Sequence, residues 1–261
     1  MRIASLFSGI GGLELGLEAA GVGHTVVQVE QDPYCRAVLR RHWPEAKQLE
    51  DIRDARGQDL QNPDLICGGF PCQDVSAAGR GAGLAGARSG LWYEFERLVG
   101  EARPSWVVVE NVASGAKRWV DAVRGSLGQL GYETLPIPIA ASDVGAPHLR
   151  RRVFIVAHTI GVGVRNERQR QPRRRTDGVR PQRHPVTAHT SSTGPAAHAN
   201  SRRHEGWASG PPVCGVDDGT STRLDRARLR ALGNAVVPQC AMVIGCVLRR
   251  LANIDPMLDT G

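Results

Sequence analysis

The chain has 261 residues, 41% of them hydrophobic, and a formal net charge of +7, enough for one large domain with a core, with or without a small appendage. No apolar run approaches the ~20 residues that span a bilayer, and the opening MRIASLFSGIGG lacks the long apolar segment of a secretory signal, so a cytoplasmic protein with no membrane partner is expected. Cys35, Cys67, Cys72, Cys214, Cys240 and Cys246 are too sparse for a disulfide framework and match no paired zinc-ligand spacing, so reduced thiols and no metal are expected.

Arg2–Phe7 reads as a short apolar strand, followed by the loop Ser8-Gly9-Ile10-Gly11-Gly12 and a helix through Ala20. Thr25–Glu30 is a second strand, and Pro33–Trp43 a helix with proline in its first turn. Asp64–Gly69 reads as a buried strand, and Ser89–Val99 as a helix with Leu91, Phe95 and Leu98 on one stripe. Trp106–Asn111 and Arg151–His158 are further strands. Strands apolar on both faces that alternate with helices predict an α/β domain over 1–157, its mostly parallel sheet flanked by helices.

From His158 to Val213 the pattern stops. This stretch has no Leu, Phe or Tyr, and its ten arginines against Glu167, Asp177 and Glu205 carry the whole net excess of charge. Such a segment cannot bury a core of its own. Its charge suits a polyanion; a solvated insert in a chain with only Lys47 and Lys117 beside its many arginines explains it equally well. Pro238–Leu251 then sets Ala241, Ile244, Val247, Leu248 and Leu251 on one face, predicting an amphipathic helix. Residues 223–261 are therefore expected to pack back on the 1–157 domain, with 158–222 set apart between them.

The chemistry-bearing residues gather at predicted strand ends. Glycines after the first strand let backbone amides approach a ligand at a helix N-terminus, where the dipole favours negative charge. Glu30 ends the second strand, where an acid commonly takes ribose hydroxyls, and Glu50-Asp51-Ile52 follows. The loop lacks the G-x-G-x-x-G spacing, since Leu15 stands three residues after Gly12. Together these residues point to an adenosine-containing cofactor. In CGGFPCQDVS, Gly68-Gly69-Phe70-Pro71 turns the chain outward and presents Cys72 beyond a strand end. Cys67 sits within that strand and reads as packing. Composition leaves Cys72 even between nucleophile and turn residue. Glu110 and Asn111, at the end of another strand, favour the nucleophile, because a thiol and a carboxylate make a nucleophile and an acid/base partner.

The blocks RIASLFSGIGGLELGLEAAG, GGFPCQDVSAAGRGAGLAGARSGLWYE, VVVENV, ASDVGAPHLRRRVFIVA and LRALGNAVVPQ occur in the order found in cytosine-5 DNA methyltransferases, which the chain resembles. The resemblance implies a Rossmann-like methyltransferase fold, S-adenosylmethionine as cofactor with S-adenosylhomocysteine as its product, and duplex DNA as partner, with the cytosine flipped out of the stack. It implies that the Cys72 thiolate adds to carbon 6 of the ring, while Glu110 holds the N3/N4 edge. Arg150 and Arg152 match the family's paired arginines, and alternation places both on one face of the strand beginning there. Phe7, Ser8, Gly9, Gly11, Gly12, Glu30, Asp51 and Ile52 match cofactor positions. Pro71 lies in the turn that shapes the site, and Asn234 and Val236 match the late block that closes over the methionine end.

Three departures stand out, one of them a recognition region that is short and nearly without apolar residues. His148 replaces the usual glutamine, and the family's block before the final Gly-Asn is not recognisable in TSTRLDRARLRALGN. The segment 158–222 then reads as a short, irregular target-recognition region whose arginines contact phosphates and guanine edges. A monomer acting sequence-specifically is expected, as in a modification or anti-restriction methylase, and a companion restriction nuclease is compatible with it. A DNA-binding protein without catalysis is the competing reading, against which the intact Cys72 and Glu110 weigh. If the arginines contact phosphates, affinity for duplex DNA measured by fluorescence anisotropy should fall by orders of magnitude between about 50 and 200 mM salt; a flat response would exclude such contacts.

Overall fold

The computed structural model describes residues 1–71, 90–159 and 222–252, and within them seven strands form one sheet. β1 (Arg2–Leu6), β2 (His24–Val29), β3 (Lys47–Leu49), β4 (Leu65–Gly68) and β5 (Trp106–Val112) pair in parallel. β7 (Arg151–Thr159) runs antiparallel between β5 and β6 (Tyr132–Ala140). The order is β3-β2-β1-β4-β5-β7-β6. The expected mostly parallel α/β sheet is therefore present, with one reversed strand that composition could not foretell, because an apolar run carries no direction.

Parallel neighbours need crossovers, and helices supply them. α1 (Gly12–Ala19) follows β1, α2 (Pro33–His42) follows β2, α3 (Gly90–Ala102) precedes β5, and α4 (Ala116–Gln129) precedes β6. α2 starts where its sequence says it should. The Asp32 carboxylate accepts from the Tyr34 and Cys35 amides, Pro33 opens the first turn, and Arg40, Arg41 and His42 occupy the last.

The sheet buries both faces. On one, Trp92, Phe95 and Leu98 of α3 and Trp119, Val123 and Leu127 of α4 cover Ile66, Val107, Val109 and Ile155. On the other, Leu13 and Leu17 of α1, with Cys240, Ala241, Ile244 and Leu248 of α6 (Pro238–Leu251), cover Ile3, Leu65, Cys67, Val108 and Phe154. Neighbouring strand residues divide between the two faces, as a period of two requires. α1 and α6 approach closely: a Cβ on Gly16 would lie 2.2 Å from the Pro238 carbonyl oxygen, and one on Gly245 would lie 2.5 Å from Ala20 Cβ. The expected docking of the C-terminal helix on the first domain thus rests on small residues as well as on its apolar face.

Four elements go beyond the sequence reading: β3, α4, β6 and α5 (Thr222–Asn234). β6 contains Pro136 and Pro138, which argue against a strand. It lies at the sheet edge, and the two prolines share a parity, so both missing amides fall on the unpaired side. α4 carries Gly125 and Gly128, which lower helix propensity. α5 occupies the stretch in which the family's block before the final Gly-Asn was not recognisable, and runs into the recognised LRALGN. Phe7, expected to end β1, instead leaves the strand with φ 57°. Arg226–Leu251 is long and apolar enough to cross a membrane by length and composition, a span the sequence reading did not expect. It is broken between Asn234 and Pro238; α6 packs Cys240, Ala241, Ile244 and Leu248 into the core, while Met242, Val243 and Leu251 stay exposed.

Trp119 is fully buried, and its indole Nε1 donates to the Val112 carbonyl at 3.0 Å, tying α4 to the end of β5. Trp119→Ala should cost about 3–5 kcal/mol of stability, measured by denaturant unfolding; a loss below about 1 kcal/mol would contradict this packing.

Candidate active site

The carboxyl ends of the parallel strands share one edge of the sheet, the usual ligand edge of open α/β folds. Phe7 to Gly11 leave β1 there, Glu30 leaves β2, Asp51 and Ile52 follow β3, Gly69 to Pro71 follow β4, and Glu110 to Val112 end β5. The sequence-predicted residues in the described parts thus converge on one edge. Cys72 lies just beyond Pro71, outside the described residues, as do 160–221 of the expected recognition region.

The first loop is held by its own backbone and by Glu30. The Ser8 amide donates to the Val29 carbonyl at 3.1 Å, and the Gly11 amide to the Ser8 carbonyl at 2.9 Å. One Glu30 oxygen accepts from the Gly9 amide and the other from the Asp32 amide, each at 2.7 Å. Glu30 therefore couples the glycine loop to the cap of α2. Asp32 itself pairs with Arg230 of α5, bringing the late block over this corner. The sequence reading missed Asp32 and Arg230, although Asp-Pro before an amphipathic stretch is a helix-start signal.

The glycines divide by role. Gly9 has φ 56° and nothing within 4 Å of where a Cβ would stand, so there is open room beside the loop. A Cβ on Gly11 would lie 2.3 Å from the Trp43 ring, and one on Gly12 would lie 2.2 Å from the Val236 carbonyl oxygen. Close approach of the protein to itself therefore demands Gly11 and Gly12. Gly11, the N-cap of α1, has no side chain with which to cap it, leaving first-turn amides available to a negatively charged group. The open room and the uncapped amides suit the carboxylate and ribose of an adenosine-containing cofactor. Asp51 is engaged by Arg53, which holds its carboxyl below the ordinary range. Ile52 is buried, and its carbonyl accepts from Arg97 at 3.1 Å.

The second cluster surrounds Glu110, which is 8% exposed. Its Oε1 meets Arg152 Nε at 2.8 Å. A Cβ on Gly69 would lie 2.6 Å from Glu110 Oε2, so the turn leading to Cys72 passes directly over this carboxylate. That turn is locked from below: Asn111 Nδ2 donates to the Phe70 carbonyl at 3.0 Å, while the Phe70 ring packs against Trp92 and Trp119. Cys67 is fully buried within β4, and burial pushes its thiol well above the ordinary range, in keeping with packing.

Arg150 and Arg152 both act on Glu110, but not as one strand face. β7 begins at Arg151, and Arg150 precedes it with φ 23°. Its guanidinium turns to the late block and donates to the Ala235 carbonyl at 2.6 Å. The reversal of β7 is what delivers both arginines. Val112 is paired with Arg152 and Glu110 with Phe154, so Arg152 is a diagonal neighbour of Glu110. A parallel strand would have started at the opposite edge. Asn234 lies at the end of α5 and Val236 just beyond it, the latter against Gly12.

Burial raises the Glu110 carboxyl above its ordinary value, and the two arginines only partly offset this. A carboxyl whose folded pKa exceeds its unfolded one contributes most stability at low pH, and loses it as pH rises through the folded value. Removing the arginine should deepen that loss. Arg152→Met is expected to cost about 3 kcal/mol at about pH 8 and clearly less at about pH 5, by denaturant unfolding at both. An equal loss at both would show that the pair does not share its charge as described.

The C-5 cytosine-specific DNA methylase family model matches residues 1–194. The Type II methyltransferase M2.BsuMI of Bacillus subtilis is 38% identical over 60% of this chain and 42% of its own length. The Type II methyltransferase M.AquIA of a Picosynechococcus strain is 37% identical over 61% of this chain and 73% of its own. Among solved structures, a prophage-encoded DNA modification methyltransferase of E. coli superposes with TM-score 0.52 at 29% identity, covering 61% of this chain and 47% of that one. A DNMT2 from Spodoptera frugiperda shares the fold with TM-score 0.52 at 22% identity, over 65% of this chain and 53% of its own. The chain thus spans between two-fifths and three-quarters of the length of the relatives it matches. The Rossmann-like sheet, the paired clusters at its carboxyl edge and the extent of the family match lead to one conclusion: this chain belongs to the C-5 cytosine-specific DNA methylase family.

Proposed function

We propose that the protein transfers a methyl group from S-adenosylmethionine to carbon 5 of a cytosine flipped out of duplex DNA, through a covalent bond to Cys72. One observation carries the reading. The buried Glu110–Arg152 pair lies directly beneath Gly69, three residues before Cys72, so the carboxyl and the guanidinium lie against the turn that leads to Cys72.

The Cys72 sulfur, as thiolate, forms a bond to carbon 6 of the ring. An ordinary thiol of pKa about 8.5 is mostly protonated at neutral pH, so the reaction requires a site that favours the thiolate. Glu110, whose burial keeps a proton on the carboxyl to higher pH than usual, supplies that proton to N3 and draws electrons into the ring. Carbon 5 thereby becomes nucleophilic. S-adenosylmethionine, when bound, supplies the methyl group. Transfer of the carbon-5 proton to a base such as water, and return of the N3 proton to the Glu110 carboxylate, then reform the double bond and expel the Cys72 sulfur as thiolate.

Phe7, Ser8, Gly9, Glu30, Asp51 and Ile52 would line the cofactor's adenosine, and Asn234 and Val236 its methionine end, with Gly11 and Gly12 shaping the loop. Pro71 stiffens the turn before the nucleophile. The reading divides the chain into a catalytic domain, 1–157, a recognition segment, 158–222, and a returning segment, 223–261. It places a monomer in the cytoplasm as a sequence-specific modification enzyme, with the arginine-rich segment on the phosphates.

Radiolabelled methyl transfer to cytosine in duplex DNA tests the proposal. Cys72→Ala should abolish transfer, and Glu110→Gln should lower kcat by about 10²–10⁴. Transfer that persists in the Cys72 variant would overturn the mechanism.

A further inference from the structure

Glu14 takes no part in the chemistry above. It lies in the first turn of α1 and is fully buried. Among the described residues no hydrogen bond of good geometry reaches either carboxylate oxygen, and the same holds for Ser5 Oγ and for both side-chain polar atoms of Gln28. These groups are gathered, not scattered. Ser5 pairs with Gln28 across β1–β2 and with Cys67 across β1–β4. Strand pleating sends all three side chains to the same face of the sheet, the face that α1 covers. Ser5, Gln28 and Ser8 all act on the Glu14 carboxyl, and Cys67 feels both Glu14 and Ser5.

An ionised carboxylate in such a place needs a cation or several donors. The groups acting on it are Ser5, Ser8, Gln28 and its own backbone amide. Cys67 contributes a buried thiol from β4, and Glu18 of α1, which also acts on Cys67, already accepts from the Thr25 amide and Trp43. The α6 residues buried over this face are Cys240, Ala241, Ile244, Gly245 and Leu248. No cation faces Glu14 among the described residues. The neutral acid, by contrast, offers one donor and an acceptor, which hydroxyls and a carboxamide can match.

Above the carboxyl stands Ser8, whose hydroxyl donates to the Ser5 carbonyl at 3.3 Å and whose amide donates to the Val29 carbonyl. Ser8 thus anchors the glycine loop to β1 and β2. We propose that Glu14 is a neutral, hydrogen-bonding positioning residue which, with Ser5 and Gln28, forms the floor that seats Ser8 and so presets the cofactor loop. The proposal rests on the reading of that loop as the S-adenosylmethionine site. Burial raises the Glu14 carboxyl above its ordinary value. Its neutral form therefore stabilises the fold at low pH, and that contribution declines as pH rises toward the folded value.

Three measurements on the full chain test it. With carboxyl-¹³C-labelled glutamate, one NMR resonance, absent from Glu14→Gln, should stay at the neutral-acid position between about pH 5 and 8. Over the same range the midpoint of unfolding of Glu14→Gln should hold or rise relative to the wild type. By calorimetry, Glu14→Gln should bind S-adenosylmethionine within about twofold of the wild type, and Glu14→Leu at least about tenfold more weakly. A purely structural role would lower the binding stoichiometry and leave the dissociation constant unmoved. A Glu14 resonance that titrates in the ordinary carboxylate range, or a Glu14→Gln variant as impaired in binding as Glu14→Leu, would overturn the proposal. A wild-type chain that binds no S-adenosylmethionine would overturn the proposed function instead, leaving the resonance to decide the state of Glu14.

Discussion

The contact between Arg152 and Glu110 exists because one strand runs backwards. β7 enters the sheet antiparallel to β5, so its first residues arrive at the edge where β5 ends. That reversal places a guanidinium beside a carboxylate that would otherwise be buried alone, at a heavy cost. It also positions Arg150 where the chain turns into β7, with its guanidinium free to reach the carbonyl of Ala235. Every other part of the site is organised around this meeting. The turn before Cys72 passes over Glu110, Asn111 fixes that turn from beneath, and the late block is drawn in by Arg150.

The same edge is closed by residues far apart in the chain. Val236 packs its carbonyl against Gly12, and Pro238 packs against Gly16, so the start of α1 and the start of α6 lie within van der Waals reach. Arg230 of α5 pairs with Asp32, whose amide is bound by Glu30. The glycine loop, the acid that spans it and the returning C-terminal segment therefore form one connected assembly. Two buried acids in it illustrate opposite solutions. Glu110 is paired with Arg152. Glu14 faces no cation among the described residues and has only neutral polar groups around it.

Much of this was legible beforehand. The helix from Pro33 was legible from the proline in its first turn, because that preference is local; its Asp32 cap was missed. Pro238–Leu251 follows from a periodic apolar face that survives any environment. Glu30, Glu110 and the glycine loop could be placed at strand ends because parallel strands with buried faces leave a recognisable apolar run. Other features were not readable for equally physical reasons. β6 hides behind Pro136 and Pro138, which only an edge position tolerates. α4 is weakened by internal glycines and forms because Trp119, Val123 and Leu127 find a sheet to cover. The burial of Glu14 was not legible either, because it follows from the packing of α1 on the sheet.

By itself, the sequence determined the local elements, the apolar strands, the identity of the chemical groups and their order, since these depend on neighbours within a few residues and on composition. Tertiary structure alone decided the direction of β7, and with it the meeting of Arg152 and Glu110. It also decided which glycines serve close packing, and which acids lose their water. These outcomes depend on pairing across the sheet and on burial, and neither is encoded at the position where its effect is felt.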